Sequence, residues 1–150
     1  MRWQTGCFVV GFVLSNAHLV LPAEAVDKPQ PGLWEVITKH ERDGVGRTDP
    51  AKQRCITAEQ ARTFGTREAV PVANSRNGLT CKLADWQSNP DGANWRIACD
   101  GPLAAEQRGR YVFDSAQHFT STITTTVSTP GRERVSVLTI ESRRIGECPK

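Results

Sequence analysis

Cysteine is the residue type whose number and spacing in this chain can do chemistry. Of five cysteines, Cys7 lies in an apolar leader, and Cys55, Cys81, Cys99 and Cys148 follow it. No two stand in a C-x-x-C spacing, which argues against a zinc ribbon and against a thioredoxin-like redox pair. Their chemistry is oxidative pairing: an even number of cysteines in a small exported domain predicts disulfides. Each bridge stabilises by about 2–4 kcal/mol, acting largely through the unfolded chain.

The other reactive types are sparse. Outside the leader the histidines are His40 and His118, and neither stands in an H-x-H or H-x-x-x-H spacing that would favour a metal. Asp85 and Glu106 are the carboxylate pair one would nominate for acid–base hydrolysis, but a chain with 16 acidic residues offers many such pairs. There is no G-x-S-x-G elbow and no S-x-x-K pair. Gly92, Gly101 and Gly109 do not form a phosphate-cradling loop. The expectation is therefore no catalytic residue, no cofactor and no metal. Trp34, Trp86 and Trp95 either fill the core of a small β domain or line a groove for a ligand or partner. Trp86, at the loop edge of its strand, is the best candidate contact, and Trp34 is the second.

The leader sets the compartment. Arg2 gives residues 1–25 a positive start, an apolar stretch follows, and Ala23-Glu24-Ala25 is an A-x-A cleavage site. The stretch is broken by Ser15, Asn16 and His18 and is short for a membrane anchor, which needs about 20 apolar residues. Cleavage after Ala25 would remove Cys7 and leave residues 26–150 as a single disulfide-stapled domain in an oxidising compartment, with no transmembrane segment. It would also remove one base and one acid, so the formal net charge stays at +3. That charge is mild and spread along the chain. Arg132/Arg134 and Arg143-Arg144 are its densest groups and read as solvated strand edges, so nucleic acid is not an expected partner.

Strand signals dominate the mature region. Residues 33–40 are rich in β-branched and aromatic types, residues 52–56 are a second, short strand candidate, and Asp43-Gly44 with Gly46 marks a turn between them. Thr57 and Gln60 form a capping box that opens a short helix over 58–64, which Gly65 stops. Residues 65–78 have no clean period. Residues 79–85 and 95–100 flank the turn Asn89-Pro90-Asp91-Gly92. Setting Cys81 opposite Cys99 puts Leu83 against Ile97 and Asp85 against Trp95, with Leu79, Cys81, Leu83, Trp95, Ile97 and Cys99 on one face. Residues 108–114 form a further strand. Residues 118–129 and 133–145 pair around Pro130-Gly131, a type II turn signature. Pairing Thr129 with Arg132 sets Ile123 opposite Leu138 and gathers Phe119, Ile123, Val127, Leu138 and Ile140 on one face. Thr120, Thr122, Thr124, Thr126, Val135 and Val137 take the other.

These elements predict a mainly β fold: an antiparallel meander of about seven strands forming a curved sheet or open barrel with one short helix. A β-sandwich is the alternative. The expected core is Leu33, Ile37, Leu83, Trp95, Ile97, Tyr111, Phe113, Phe119, Ile123, Leu138 and Ile140. The hairpin around Pro90 favours a Cys81–Cys99 bridge, and Cys55–Cys148 is what remains. The irregular 65–78 segment would alternatively let Cys55 reach Cys81.

The motifs also resemble a known family. Pro31-Gly32-Leu33-Trp34-Glu35-Val36, Cys55-Ile56-Thr57 before a short helix, Cys81, the W-x-x-x-C of Trp95 to Cys99 and the Gly146-Glu147-Cys148 ending are similar to those of a family of small exported Gram-negative bacterial proteins classed as a domain of unknown function. The resemblance implies a periplasmic location and a β-rich domain, and it transfers no catalytic residue. The expected role is a non-enzymatic periplasmic binding or interaction module for a small apolar ligand or a protein. An inhibitor-like partner of an exported enzyme and an envelope hydrolase are the alternatives.

Overall fold

The computed structural model describes residues 28–70, 72 and 78–149. The leader and its cleavage site, and residues 71 and 73–77 of the irregular stretch, lie outside the described residues. Eight antiparallel strands form one open sheet: β1 (Gly32–Arg42), β2 (Val45–Thr48), β3 (Lys52–Ile56), β4 (Thr80–Asn89), β5 (Gly92–Asp100), β6 (Ala104–Ser115), β7 (His118–Thr129) and β8 (Arg132–Gly146). The order across the sheet is β2-β1-β8-β7-β6-β5-β4, and β3 shares the outer edge of β1 with β2. The first long strand therefore pairs with the last.

Helix α1 (Ala58–Thr63) begins at the expected capping box. The Gln60 backbone N–H donates to the Thr57 hydroxyl, and the Gln60 side chain accepts from the Thr57 N–H. Gly65, with φ of 68°, reverses the chain just after it, a left-handed conformation that an L side chain resists. A single 3-10 turn, Arg67–Ala69, leads on towards β4.

Alternation sorts the sheet into two faces. The inner face, on which α1 packs, carries Trp34, Phe113, Phe119, Trp95 and Ile97, all buried. The sheet curls towards this face. Strands lie about 4.8 Å apart, yet the rings of Trp34 on β1 and Phe119 on β7, with β8 between them, meet at a centroid distance of 5.2 Å. One aromatic cluster joins Trp34, Phe113 and Phe119 to Ile56, Ala61 and Phe64, and a second joins Trp95 and Ile97 to Val70, Leu83 and Trp86. Tyr111 packs against both. The outer face is threonine-rich and charged, which suits solvent.

Most pairings follow the sequence pattern. Cys81 opposes Cys99 and Leu83 opposes Ile97. Ile123 opposes Leu138, and Thr129 opposes Arg132. Both predicted disulfides are present, Cys81–Cys99 and Cys55–Cys148.

Four details differ. Strand β2 is an addition to the expected set: it is short and wholly exposed, and only its pairing with β1 makes it a strand. In β1 the inward parity is that of Trp34, which is 0% exposed, so Leu33 and Ile37 face outward and are half-buried rather than core. A bulge at Ala84 moves Asp85 opposite Arg96 and Trp86 opposite Trp95. Trp86 is therefore a paired residue inside β4 and not a loop-edge one. The extra residue inverts the alternation, which is how an even-numbered Trp86 reaches the face of Leu83.

Candidate functional site

Helix α1 covers only one end of the inner face. Where β7, β8 and β1 run beyond it, the floor is left open as a cleft of about 730 Å³. Its apolar floor is Ile123 and Leu138, directly paired, and Thr125 and Ser136 form the next row. His40 lies opposite Leu138, and Arg42 lies opposite Ser136. Val45 and Arg47 of β2 complete the rim. Thr125 accepts a hydrogen bond from the Gln107 amide at 3.3 Å, so that side of the floor is polar but held. The volume lies within the usual range for small-molecule sites, about 300–1,000 Å³.

The strand beside the floor carries a glycine on the same face. Gly109 lies between Trp95 and Ile123 on the inner face, and the Trp95 ring occupies the space a Cβ would take. Trp95 is thereby held flat on the sheet, with its ring centroid 4.6 Å from that of Tyr111. Burial raises the Tyr111 phenol above its ordinary pKa.

The charged groups near the rim are partly neutralised. Asp49 is held between His40 Nε2 and Arg47 Nε, each at 3.2 Å. On the outer face, His118 Nδ1 lies 2.6 Å from Asp114 and its Nε2 lies 3.6 Å from Glu141. The sheet separates the two histidines. Glu106, the nominated acid, is bonded by Arg108 and by Arg96, and the Arg108 hydrogen bond first of all holds its carboxyl below the usual range. A carboxyl kept ionised in this way suits charge pairing better than proton donation. Among the described residues no group of three or more His, Cys, Asp or Glu side chains is placed to hold a metal.

The two tryptophans nominated for contact divide. Trp34 is fully buried and its indole N–H donates to the Gln30 carbonyl at 3.1 Å, so it is a core residue with no surface to offer. Trp86 is half-buried and lines a second cleft of about 580 Å³ with Thr66, Arg67, Asn89 and Phe113. Its indole N–H has no hydrogen-bond partner among the described residues. Sequence reasoning did not nominate His40, Arg42, Thr125 and Ser136 together. Their only sequence signal is shared parity on strands that become neighbours when β1 docks on β8.

A family model described as a protein of unknown function, DUF3617, matches residues 29–148. The chain belongs to that family. The match takes in β1 at the start of the sheet, the last strand β8 and all four cysteines of the two bridges. The open cleft therefore lies wholly within the DUF3617 region. No curated protein matches the chain, and no solved structure does. No helix among the described residues is long and apolar enough to cross a membrane.

Proposed function

We propose that this DUF3617 chain is an exported, non-enzymatic binding module that takes a small ligand with an apolar chain in the uncovered half of its inner face. The carrying observation is the Ile123–Leu138 floor, which is apolar, half-buried and not roofed by α1. Elsewhere on the same face the equivalent positions are sealed by Trp34, Phe113 and Phe119 under the helix. An unroofed apolar floor beside a packed one is a surface whose burial is left to a ligand.

Two further features support the reading. Glu106, one of the two nominated acids, is engaged in ion pairs away from the cleft, and Asp49 at its rim is held by His40 and Arg47, which favours shape and burial over a proton relay. Two disulfides and the leader pattern of residues 1–25 suit an oxidising compartment such as the periplasm. Native mass spectrometry of the protein purified from that compartment tests the binding claim. A copurifying small molecule, lost on Leu138→Gln substitution, is the expected result. Absence of any adduct, together with no uptake of added decanol, overturns it. N-terminal sequencing tests export: a mature start at Val26 is expected, and a retained Met1 overturns it.

A further inference from the structure

The charged residues at the open end of the cleft are sorted by face. Strand β8 begins Arg132-Glu133-Arg134-Val135-Ser136-Val137-Leu138. Its pairing with β7 is unbroken from Arg132 to Ser142, with Arg132 opposite Thr129 and Arg134 opposite Val127. Alternation from the floor residues Leu138 and Ser136 therefore puts Arg134 and Arg132 on the inner face and Glu133 on the outer. The same holds on β1. Arg42, opposite Ser136, lies on the inner face, and Glu41, opposite Val137, on the outer. In both strands the arginines share the face of the cleft and the interleaved acids turn away.

The counter-charges on this face are few. Asp49 is already held by His40 and Arg47. Asp43, in the turn after Arg42, also lines the cleft, as does Glu41, whose side chain alternates to the outer face. Arg42, Arg132 and Arg134 are exposed, and none of them meets a carboxylate within ion-pair distance among the described residues. A strand end that needed only solubility would intersperse both signs. Gathering one sign on the face of an apolar floor costs self-repulsion, which a bound anion relieves.

We infer that the ligand of this cleft is a single-chain amphiphile with an anionic head. The inference rests on the binding reading above and specifies its chemistry. The alkyl chain lies on Ile123 and Leu138. The head, a carboxylate or a phosphate ester, meets Arg42, Arg132 and Arg134 at the open end. Guanidinium suits either head, because its planar donors pair with two oxygens at once.

Titration calorimetry on the disulfide-intact protein at low ionic strength tests this with decanoate, decyl phosphate, decanol and inorganic phosphate. The two anionic amphiphiles are expected to bind at least about tenfold more tightly than decanol, the scale of one charge-assisted contact. Inorganic phosphate alone is expected not to bind. The Arg42→Gln/Arg132→Gln/Arg134→Gln variant changes only exposed side chains, so it should fold and lose that preference, binding decanoate and decyl phosphate no more tightly than it binds decanol. Equal affinity of wild type for decanoate and decanol overturns the anionic head and leaves the binding reading standing. Inorganic phosphate binding as tightly as decyl phosphate also overturns it, because the site would then recognise the ion without the chain. Failure of all the decyl compounds to bind overturns both readings together.

Discussion

Gly109→Ala is the most informative single change in the sheet. A Cβ there would lie 1.9 Å from Trp95 Cε2 and Cζ2 and 2.6 Å from Cη2. Carbon atoms in contact prefer about 3.5–4.0 Å, so the ring must retreat by roughly 1.5–2 Å. It has little room, because Trp95 is 3% exposed and packs against Tyr111, Ile97 and Val70. Overpacking of this kind costs about 1–3 kcal/mol, and the confinement of the ring places this site at the upper end. A strand glycine is otherwise a weakness, so alanine should gain about 0.5–1 kcal/mol wherever the space is free. The sign must therefore depend on the indole. Gly109→Ala destabilises the wild type by about 2–3 kcal/mol and stabilises or leaves unchanged a Trp95→Leu background. Urea unfolding of the four proteins, followed by circular dichroism with the disulfides intact, closes the cycle. A neutral Gly109→Ala in the wild type, or a coupling below about 1 kcal/mol, would refute the packing of Trp95 onto this glycine.

Three other outcomes are expected. Removing Cys55–Cys148 (sequence separation 93) should cost about 4.6 kcal/mol and removing Cys81–Cys99 (separation 18) about 3.2 kcal/mol by loop closure. Equal losses in paired Cys→Ala variants would contradict that account. Tyr111 is the sole tyrosine, so phenolate absorbance reports it alone, and its midpoint should lie above the ordinary 10.0. With the folded pKa raised, stability is intact below pH 10 and falls as pH rises through the folded value, a loss that Tyr111→Phe should abolish. Trp34→Ala should cost about 3–5 kcal/mol and Leu33→Ala less than half of that. A larger loss at Leu33, measured by urea unfolding, would reverse the parity of β1.

The hairpins were legible because each carries local information. Cys81 and Cys99 bracket a Pro-Asp turn, and Pro130-Gly131 fixes a register that the Ile123–Leu138 pair confirms. Strand β1 was readable as a strand but not in its parity. Leu33 and Ile37 on one side and Trp34 and Val36 on the other are all apolar, and only packing under α1 decides between them. The Ala84 bulge leaves no mark in composition. Strand β2 has no apolar alternation to read, since its pairing depends on β1 being there first. The cleft was illegible for a different reason. Arg42 and Ser136 are neighbours only because β1 docks on β8, and no window of sequence contains both. The arginine–glutamate alternation of Arg132 to Arg134 was visible, but it reads as solvation until the face it shares with Leu138 is known.

The nested order of the bridges bears on how the molecule is made. Cys55 joins Cys148 around the outside of Cys81–Cys99. A chain oxidised in order of emergence meets Cys81 first after Cys55, and that consecutive pairing excludes the native one. Nor can β1 hold Cys55 back by folding early, because its main partner β8 is the last of the eight strands in sequence order. Contacts this distant in sequence form late. The thiol of Cys55 thus spends most of biogenesis unprotected, and reaching the native state calls for thiol–disulfide exchange once the C-terminus has arrived. Biogenesis of this small domain should accordingly depend on a disulfide isomerase, and not on an oxidase alone.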